Sequence, residues 1–202
     1  TGRWLALWMS YEDIPRVAQL KTRQTRFNLI RREVRADDQQ LIQVTEFFRP
    51  RIEEMCALMP VRLGQWAVTS PTSRRFLGLF TAGRRLRSSS IWVYLLLSCL
   101  AGLRRFRRGM LGYYQEHELI GRWLAAVLKA VKANPSLAYQ VAECGCLIKG
   151  YGDTRQRTSG QVQAIVEQLE LSSDLDPQVV AAWRESALQD DEGKAFDEIM
   201  VS

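Results

Sequence analysis

The 202-residue sequence predicts an all-α fold: a single multi-helix domain with about seven to nine helices and little or no β-structure. Apolar residues recur three or four positions apart along most of the chain, as on one face of a helix. Ser, Asp, Asn, Pro and Gly stand where helices would begin and end. Hydrophobic residues make up 47% and charged residues 25%, a mix that excludes a largely disordered chain.

The first predicted helix covers residues 14–35. Asp13 and Pro15 stand where an N-cap and a first helical turn belong. Its apolar face comprises Val17, Leu20, Phe27, Ile30 and Val34. The run from Leu41 to Phe48 is β-branched and aromatic, which is typical of a strand. Because no partner run of similar quality is present, it is either a lone strand or an extended connector.

The sequence pattern in the middle of the chain predicts short helices. Pro50 opens one that reaches about Leu58, and Pro60 closes it. Short helical pieces then follow through 63–87, where they are broken by Pro71, Gly78 and Gly83. The three serines before Ile91 offer an N-cap for an apolar helix from Ile91 to Leu103. That run is shorter than the roughly 20 residues that span a bilayer, so we expect a buried helix.

The last part of the chain predicts four further helices. One carries the apolar stripe Leu119–Val131, and Asn134-Pro135 starts the next, which runs to about Lys149. Gly150 suits the position after a helix, and Asp153 or Thr154 caps a helix reaching Leu169. Asp176-Pro177 starts the last. We expect Ile91–Leu103, Leu119–Val131 and Leu137–Ile148 to pack as the central helices. Residues 1–169 are expected to form the helical domain, and residues 170–202 an acidic helical tail.

Charge is segregated along the chain, although the net charge is only +6. Residues 55–115 contain ten arginines and no acidic residue, whereas 167–202 contain ten acidic and two basic residues. We therefore expect these segments to pair, within the chain or across a homo-oligomer interface. The alternative is that the Arg-rich segment 62–108 binds nucleic acid or an acidic partner. Its exposed cations would be Arg84, Arg85, Arg87, Arg104, Arg105, Arg107 and Arg108.

Few residues suit catalysis or metal binding. Cys144 and Cys146 lack the spacing and the additional ligands of a zinc or iron–sulfur site, so we interpret them as structural thiols. His117 is the single histidine and is interpreted as a surface residue. No catalytic, cofactor-binding or metal-binding residue is therefore assigned. The arginine runs come without a helix-turn-helix, zinc-finger or RNP signature, which makes nucleic acid the less favoured partner.

The turn Lys149-Gly150-Tyr151-Gly152-Asp153-Thr154 precedes a predicted helix. Exposed amides at a helix N-terminus can bind an anion, so a phosphate-binding site is one interpretation of this turn. The segment lacks the Gly-Lys-Ser/Thr ending of a P-loop and the strand that precedes a dinucleotide-binding loop. A capped turn between helices, in which both glycines adopt angles that a Cβ opposes, is the favoured interpretation.

No secretory signal is visible, and the cysteines are not arranged as a disulfide framework, so we expect a cytoplasmic protein that does not enter a membrane. The chain begins at Thr1 rather than Met. A first residue other than Met fits a fragment of a longer protein, and trimming of the sequence at its N-terminus would give the same first residue.

Four segments in order resemble the C-terminal helical region of the indolepyruvate:ferredoxin oxidoreductase beta subunit and its fused relatives. The resemblance covers about residues 10–169. The segments are Tyr11-Glu12-Asp13 with 16–23, Thr45-Glu46-Phe47-Phe48-Arg49-Pro50 with Glu53-Glu54, Ala101–Gly109, and Ala142-Glu143-Cys144 with Lys149–Thr154.

The resemblance implies a part in the oxidative decarboxylation of an aryl 2-oxoacid. In that family thiamine diphosphate forms the carbanion, iron–sulfur clusters pass electrons to ferredoxin, and coenzyme A accepts the acyl group. The implied partners are an upstream Rossmann-like domain and a thiamine-bearing subunit. This chain shows neither a thiamine-binding Gly-Asp-Gly pattern nor a cluster-binding cysteine run. None of the family's catalytic residues can be placed here, so we expect a non-catalytic domain that positions its partners.

Overall fold

The structure, a computed structural model, describes residues 1–9, 14–37, 39–48, 50–81, 83–150, 152–172, 175–189 and 194–201. In chain order the elements are α1 (Gly2–Met9), α2 (Ile14–Lys21), α3 (Gln24–Glu33), β1 (Thr45–Phe48), α4 (Ile52–Ala57), α5 (Val61–Thr69), α6 (Pro71–Gly78), β2 (Arg84–Arg87), α7 (Ile91–Gly102), α8 (Leu111–Ala133), α9 (Pro135–Glu143), α10 (Gly152–Leu171), α11 (Pro177–Gln189) and α12 (Lys194–Val201). Short 3-10 helices, Leu103–Gly109 and Cys144–Leu147, follow α7 and α9. The all-α prediction is confirmed, with twelve α-helices among the described residues rather than seven to nine.

The chain forms two compact units. One comprises residues 12–115, and the other comprises residues 1–11 together with 116–202. The predicted boundary at residue 170 stays a prediction, but α11 and α12 belong to the second unit and place Val180, Trp183 and Phe196 in its core.

The second unit is built around Trp123 of α8, which has no exposed surface. The Trp123 indole donates a hydrogen bond to the Val141 carbonyl at 2.9 Å, and its ring centroid lies 5.6 Å from that of Trp8. Other fully buried side chains of the same core come from α9, α10, α11 and the 3-10 helix after α9: Val141, Leu147, Val162, Ile165, Val166 and Val180. The predicted stripe Leu119–Val131 is therefore buried in part. Leu128 and Val131 lie on the exposed side of α8.

Helix ends in this unit follow the sequence signals. Asn134 accepts a hydrogen bond from the Ser136 amide at 2.8 Å, and Asp176 accepts one from the Gln178 amide at 2.8 Å. Pro135 and Pro177 are the first residues of α9 and α11. The helix expected to run to Lys149 ends at Glu143 and continues as a 3-10 turn through Leu147.

The first unit has its own core, in which Leu97, Met110 and Leu111 are buried together with smaller side chains. Ala18, Cys56 and Ala67 are buried there, and Gly64 lies so close to the Cys56 carbonyl that a Cβ would be 2.7 Å from it. The predicted helix 14–35 is divided at Thr22 and Arg23, where the Thr22 hydroxyl donates back to the Ala18 carbonyl at 3.0 Å. The expected N-cap Asp13 lies outside the described residues.

The strand predicted for Leu41–Phe48 is confirmed in part. Only Thr45–Phe48 forms a strand, and it pairs antiparallel with Arg84–Arg87, a segment that we expected to be helical. Glu46 is 7% exposed and forms ion pairs with Lys21 and Arg26. Burial, and then the charge of Arg26, lower the pKa of the Lys21 ammonium.

The expectation that Ile91–Leu103 is a buried central helix was wrong. In α7 only Leu97 is buried, whereas Ile91 and Trp92 are 76% and 81% exposed. The helix packs on α2 through its other side. Among the described residues, no helix is long and apolar enough to cross a membrane.

Candidate functional site

The turn that carries the resemblance is built on two left-handed glycines. Gly150 has φ +78° and Gly152 has φ +58°, as the capped-turn interpretation predicts. A Cβ on Gly150 would also lie 2.7 Å from the Thr154 methyl carbon, so the side chain of Thr154 fills the space that this glycine leaves open. Tyr151 lies outside the described residues. The Lys149 carbonyl accepts a hydrogen bond from the Thr158 hydroxyl at 3.2 Å.

Asp153 does not occupy the N-cap position that we expected, because α10 begins one residue earlier. The helix begins at Gly152, so Asp153 and Thr154 lie inside its first turn rather than before it. A carboxylate in the first turn still interacts favourably with the positive end of the helix dipole.

A partly buried ion pair holds the start of α10 and was missed at the level of sequence. Arg155 is 8% exposed, and its guanidinium lies 2.5 Å from the Glu116 carboxylate. The same carboxylate accepts a hydrogen bond from the Trp8 indole at 2.6 Å. The only signal in the sequence was the polar stretch after Thr154. The charge of Arg155 is therefore structural, because it ties the turn to α8 and α1.

A cavity of about 390 Å³ opens beside this turn, between α10 and α12. Its lining combines two carboxylates, a guanidinium, amides and an apolar wall: Asp153, Gln156, Arg157, Gly160, Gln161, Ala164, Phe196 and Asp197. Gln161 is 4% exposed, and both polar atoms of its carboxamide are buried without a hydrogen-bond partner. An unsatisfied buried amide costs stability unless water or a ligand pairs with it.

Cys144 and Cys146 follow α9 in the 3-10 turn. Cys144 is 1% exposed, and burial raises the pKa of its thiol to about 12. Its Sγ donates to the Gln140 carbonyl at 3.3 Å. Burial also raises the pKa of the half-buried Cys146 thiol. A raised pKa disfavours the thiolate, which is the form that a metal or cluster binds. Among the described residues, no group of three or more His, Cys, Asp or Glu side chains could hold a metal ion.

The predicted basic surface lies in the other unit, on β2 and the 3-10 helix after α7. The exposed cations there are Arg85, Arg87, Arg104, Arg105 and Arg108, and Arg107 is partly exposed. Arg84 pairs through its backbone with Phe48, and its side chain lies outside the described part of the chain.

Aromatic and amide groups hold several of these arginines in place. The Arg85 guanidinium lies 5.0 Å over the exposed Phe47 ring, and that of Arg107 lies 6.0 Å from the Tyr113 ring. Arg104 donates to the Gln19 side chain at 3.0 Å. Arg85 of β2, and Arg104 and Arg107 of the 3-10 helix, are therefore held by neighbouring groups.

Comparison with known proteins decides the family but not the activity. Residues 1–168 match a family described as a family of unknown function, DUF6537. The chain belongs to DUF6537. No curated protein and no solved structure matches it. The match runs from α1 through most of α10, and so includes both the glycine turn and the Arg-rich segment.

Proposed function

We propose that this DUF6537 chain is a non-catalytic helical domain of an indolepyruvate:ferredoxin oxidoreductase-like enzyme. Its role is to position an upstream Rossmann-like domain or a thiamine-bearing subunit during oxidative decarboxylation of aryl 2-oxoacids. The observation that carries the proposal is the Lys149–Thr154 turn. This hexapeptide, the most distinctive of the resembling segments, needs glycine at both 150 and 152 because both residues have positive φ.

The chemistry of the enzyme is assigned to its other parts. Thiamine diphosphate and iron–sulfur clusters belong to the parent complex in this proposal. Cys144 does not suit a cluster ligand, because it is buried and its thiol donates a hydrogen bond to a backbone carbonyl. In this proposal, no step of the reaction takes place on this chain. The proposal includes a cytoplasmic location, which the four free cysteines support.

The test is reconstitution of the reaction. The 202-residue chain is assayed alone with indolepyruvate, thiamine diphosphate, coenzyme A and ferredoxin, and is then added to the Rossmann-like domain and the thiamine-bearing subunit. We expect no turnover by the chain alone and a gain in turnover when it joins the other parts. Turnover by the chain alone would refute the non-catalytic role. An unchanged rate on addition would refute the positioning role.

One observation favours a second candidate, a stand-alone module that binds nucleic acid or an acidic partner. The exposed arginines at 85, 87, 104, 105 and 108 lie within a 61-residue stretch, 55–115, that contains no carboxylate. Filter binding to DNA and RNA at low and moderate salt tests it, because phosphate contacts weaken steeply as salt rises. Micromolar binding that strengthens when residues 170–202 are removed would favour this candidate.

A further inference from the structure

We propose that the exposed face of α7 docks an acidic amphipathic helix of the parent assembly. The α7 face comprises Ile91, Trp92, Leu95, Leu96 and Cys99. This inference rests on the proposed function and adds to it the surface and the chemistry of the contact.

The exposure of the α7 face is the first observation. Ile91 and Trp92 are 76% and 81% exposed, and Leu95 and Leu96 are 49% and 52% exposed. Monomeric proteins rarely leave large aliphatic and aromatic side chains contiguous on one surface, and where they do the surface is commonly an interaction site. The face is also free of charged residues over the whole of α7.

The spacing of these residues selects a helix as the occupant. In an α-helix successive residues are rotated by about 100°, so residues four apart form a row along the surface. Ile91, Leu95 and Cys99 form one row, and Trp92 and Leu96 form the adjacent one. Two such rows with a groove between them are the surface that a second helix packs against. The buried Leu97 lies on the opposite side, where α7 packs on α2.

Charge defines the partner further. The 3-10 helix that continues α7 exposes Arg104, Arg105 and Arg108, and no carboxylate occurs anywhere in 55–115. The complementary partner is a helix with an apolar face, which covers the α7 face, and with carboxylates at one end, which meet these arginines.

The same charges argue against two other occupants. A second copy meeting this face with its own α7 face would bring two carboxylate-free, arginine-rich surfaces together. Pairing with the acidic segment 167–202 of a second copy is the outcome that the self-association arm of the test below detects. A nucleic acid would cover Trp92, Leu95 and Leu96 with a polar, hydrated surface. That surface does not match apolar side chains, because protein–DNA interfaces are more polar than protein–protein interfaces.

Cys99 provides a native probe of the α7 face. It is exposed, whereas Cys56 and Cys144 are buried and Cys146 is half-buried. A thiol reagent such as DTNB is added to the folded chain alone and then to the chain with the Rossmann-like domain and thiamine-bearing subunit. We expect Cys99 to react at least tenfold more slowly in the assembly. Leu95→Glu is expected to weaken binding about 30-fold, the scale of an interface hot spot, whereas the exposed control Leu171→Glu on α10 leaves it unchanged.

The outcomes separate this inference from the proposed function. If the chain binds the assembly but Cys99 stays equally reactive, the α7 face is not the interface and the positioning role stands. If the chain does not bind, the positioning role fails and this inference with it. Two further arms use vesicles of phosphatidylserine and phosphatidylcholine, and the chain alone at rising concentration. Protection of Cys99 by vesicles but not by the assembly, or by self-association, would overturn the proposal in favour of a membrane surface or a second copy.

Discussion

Replacement of Trp123 by alanine should destabilise the unit formed by residues 1–11 and 116–202 by about 3–5 kcal/mol. The ring has no exposed surface, packs 5.6 Å from Trp8, and lies where a Cβ on Gly145 would be only 2.8 Å away. A protein interior this closely packed around the ring collapses only partly into the space that alanine leaves.

A second variant separates the hydrogen bond from the packing. Trp123→Phe retains an aromatic ring but removes the indole N–H, which leaves the buried Val141 carbonyl without its 2.9 Å donor. We expect this variant to lose about 1–3 kcal/mol, less than alanine. The matched control is Leu128→Ala on the same helix, because Leu128 is 66% exposed and should change stability by less than about 0.5 kcal/mol.

The assay is urea unfolding followed by circular dichroism at 222 nm, with the free energy of unfolding extrapolated to water for each variant. The expected order of destabilisation is Trp123→Ala, then Trp123→Phe, then Leu128→Ala. A loss of less than about 1 kcal/mol for Trp123→Ala, or an equal loss for Leu128→Ala and Trp123→Phe, would refute the placement of Trp123 at the centre of the core.

Three further predictions concern the glycine turn, the cavity and the buried thiol. Gly150→Ala should lower the melting temperature more than Gly152→Ala, because its Cβ meets Thr154 whereas a Cβ on Gly152 meets nothing within 4 Å; equal losses would contradict this. Gln161→Leu should be neutral or stabilising by about 1 kcal/mol, since it removes an unpaired buried amide, and a marked loss of stability in thermal unfolding would show that the amide has a partner. Burial raises the pKa of the Cys144 thiol in the folded chain to about 12, from 9.0 in the unfolded chain. The stabilising contribution of the protonated thiol is therefore complete below pH 9.0. It is lost as the pH rises toward 12, and the free energy of unfolding falls by about 1.4 kcal/mol per pH unit. Cys144→Ala should therefore lose less stability than the parent chain between pH 8 and pH 10.5, and equal slopes would contradict the assignment.

The helices of the second unit were predictable because their signals are local. Asn134-Pro135 and Asp176-Pro177 mark helix starts through contacts two residues away, and Gly150 and Gly152 mark a turn through their own backbone angles. The interpretation of the Lys149–Thr154 segment as a capped turn followed from the same local chemistry.

The errors arise where the structure depends on contacts distant in sequence. Arg84–Arg87 has no strand pattern and is extended because it pairs with Thr45–Phe48, about 40 residues earlier. The apolar content of α7 suggested burial on most sides, but α2 covers only one side of it. Arg155 and Gln161 were missed as buried residues because a polar stretch gives no sign that its side chains face a core.

The central claim is that this chain positions the catalytic parts of a larger enzyme, and sedimentation velocity of the mixed components tests it most directly. The 202-residue chain is mixed with the Rossmann-like domain and the thiamine-bearing subunit at micromolar concentration and low salt, with the Leu95→Glu variant in parallel. The account predicts a faster-sedimenting complex that contains the chain and that is lost with Leu95→Glu. Separate sedimentation of the unmodified chain and the other components would contradict it.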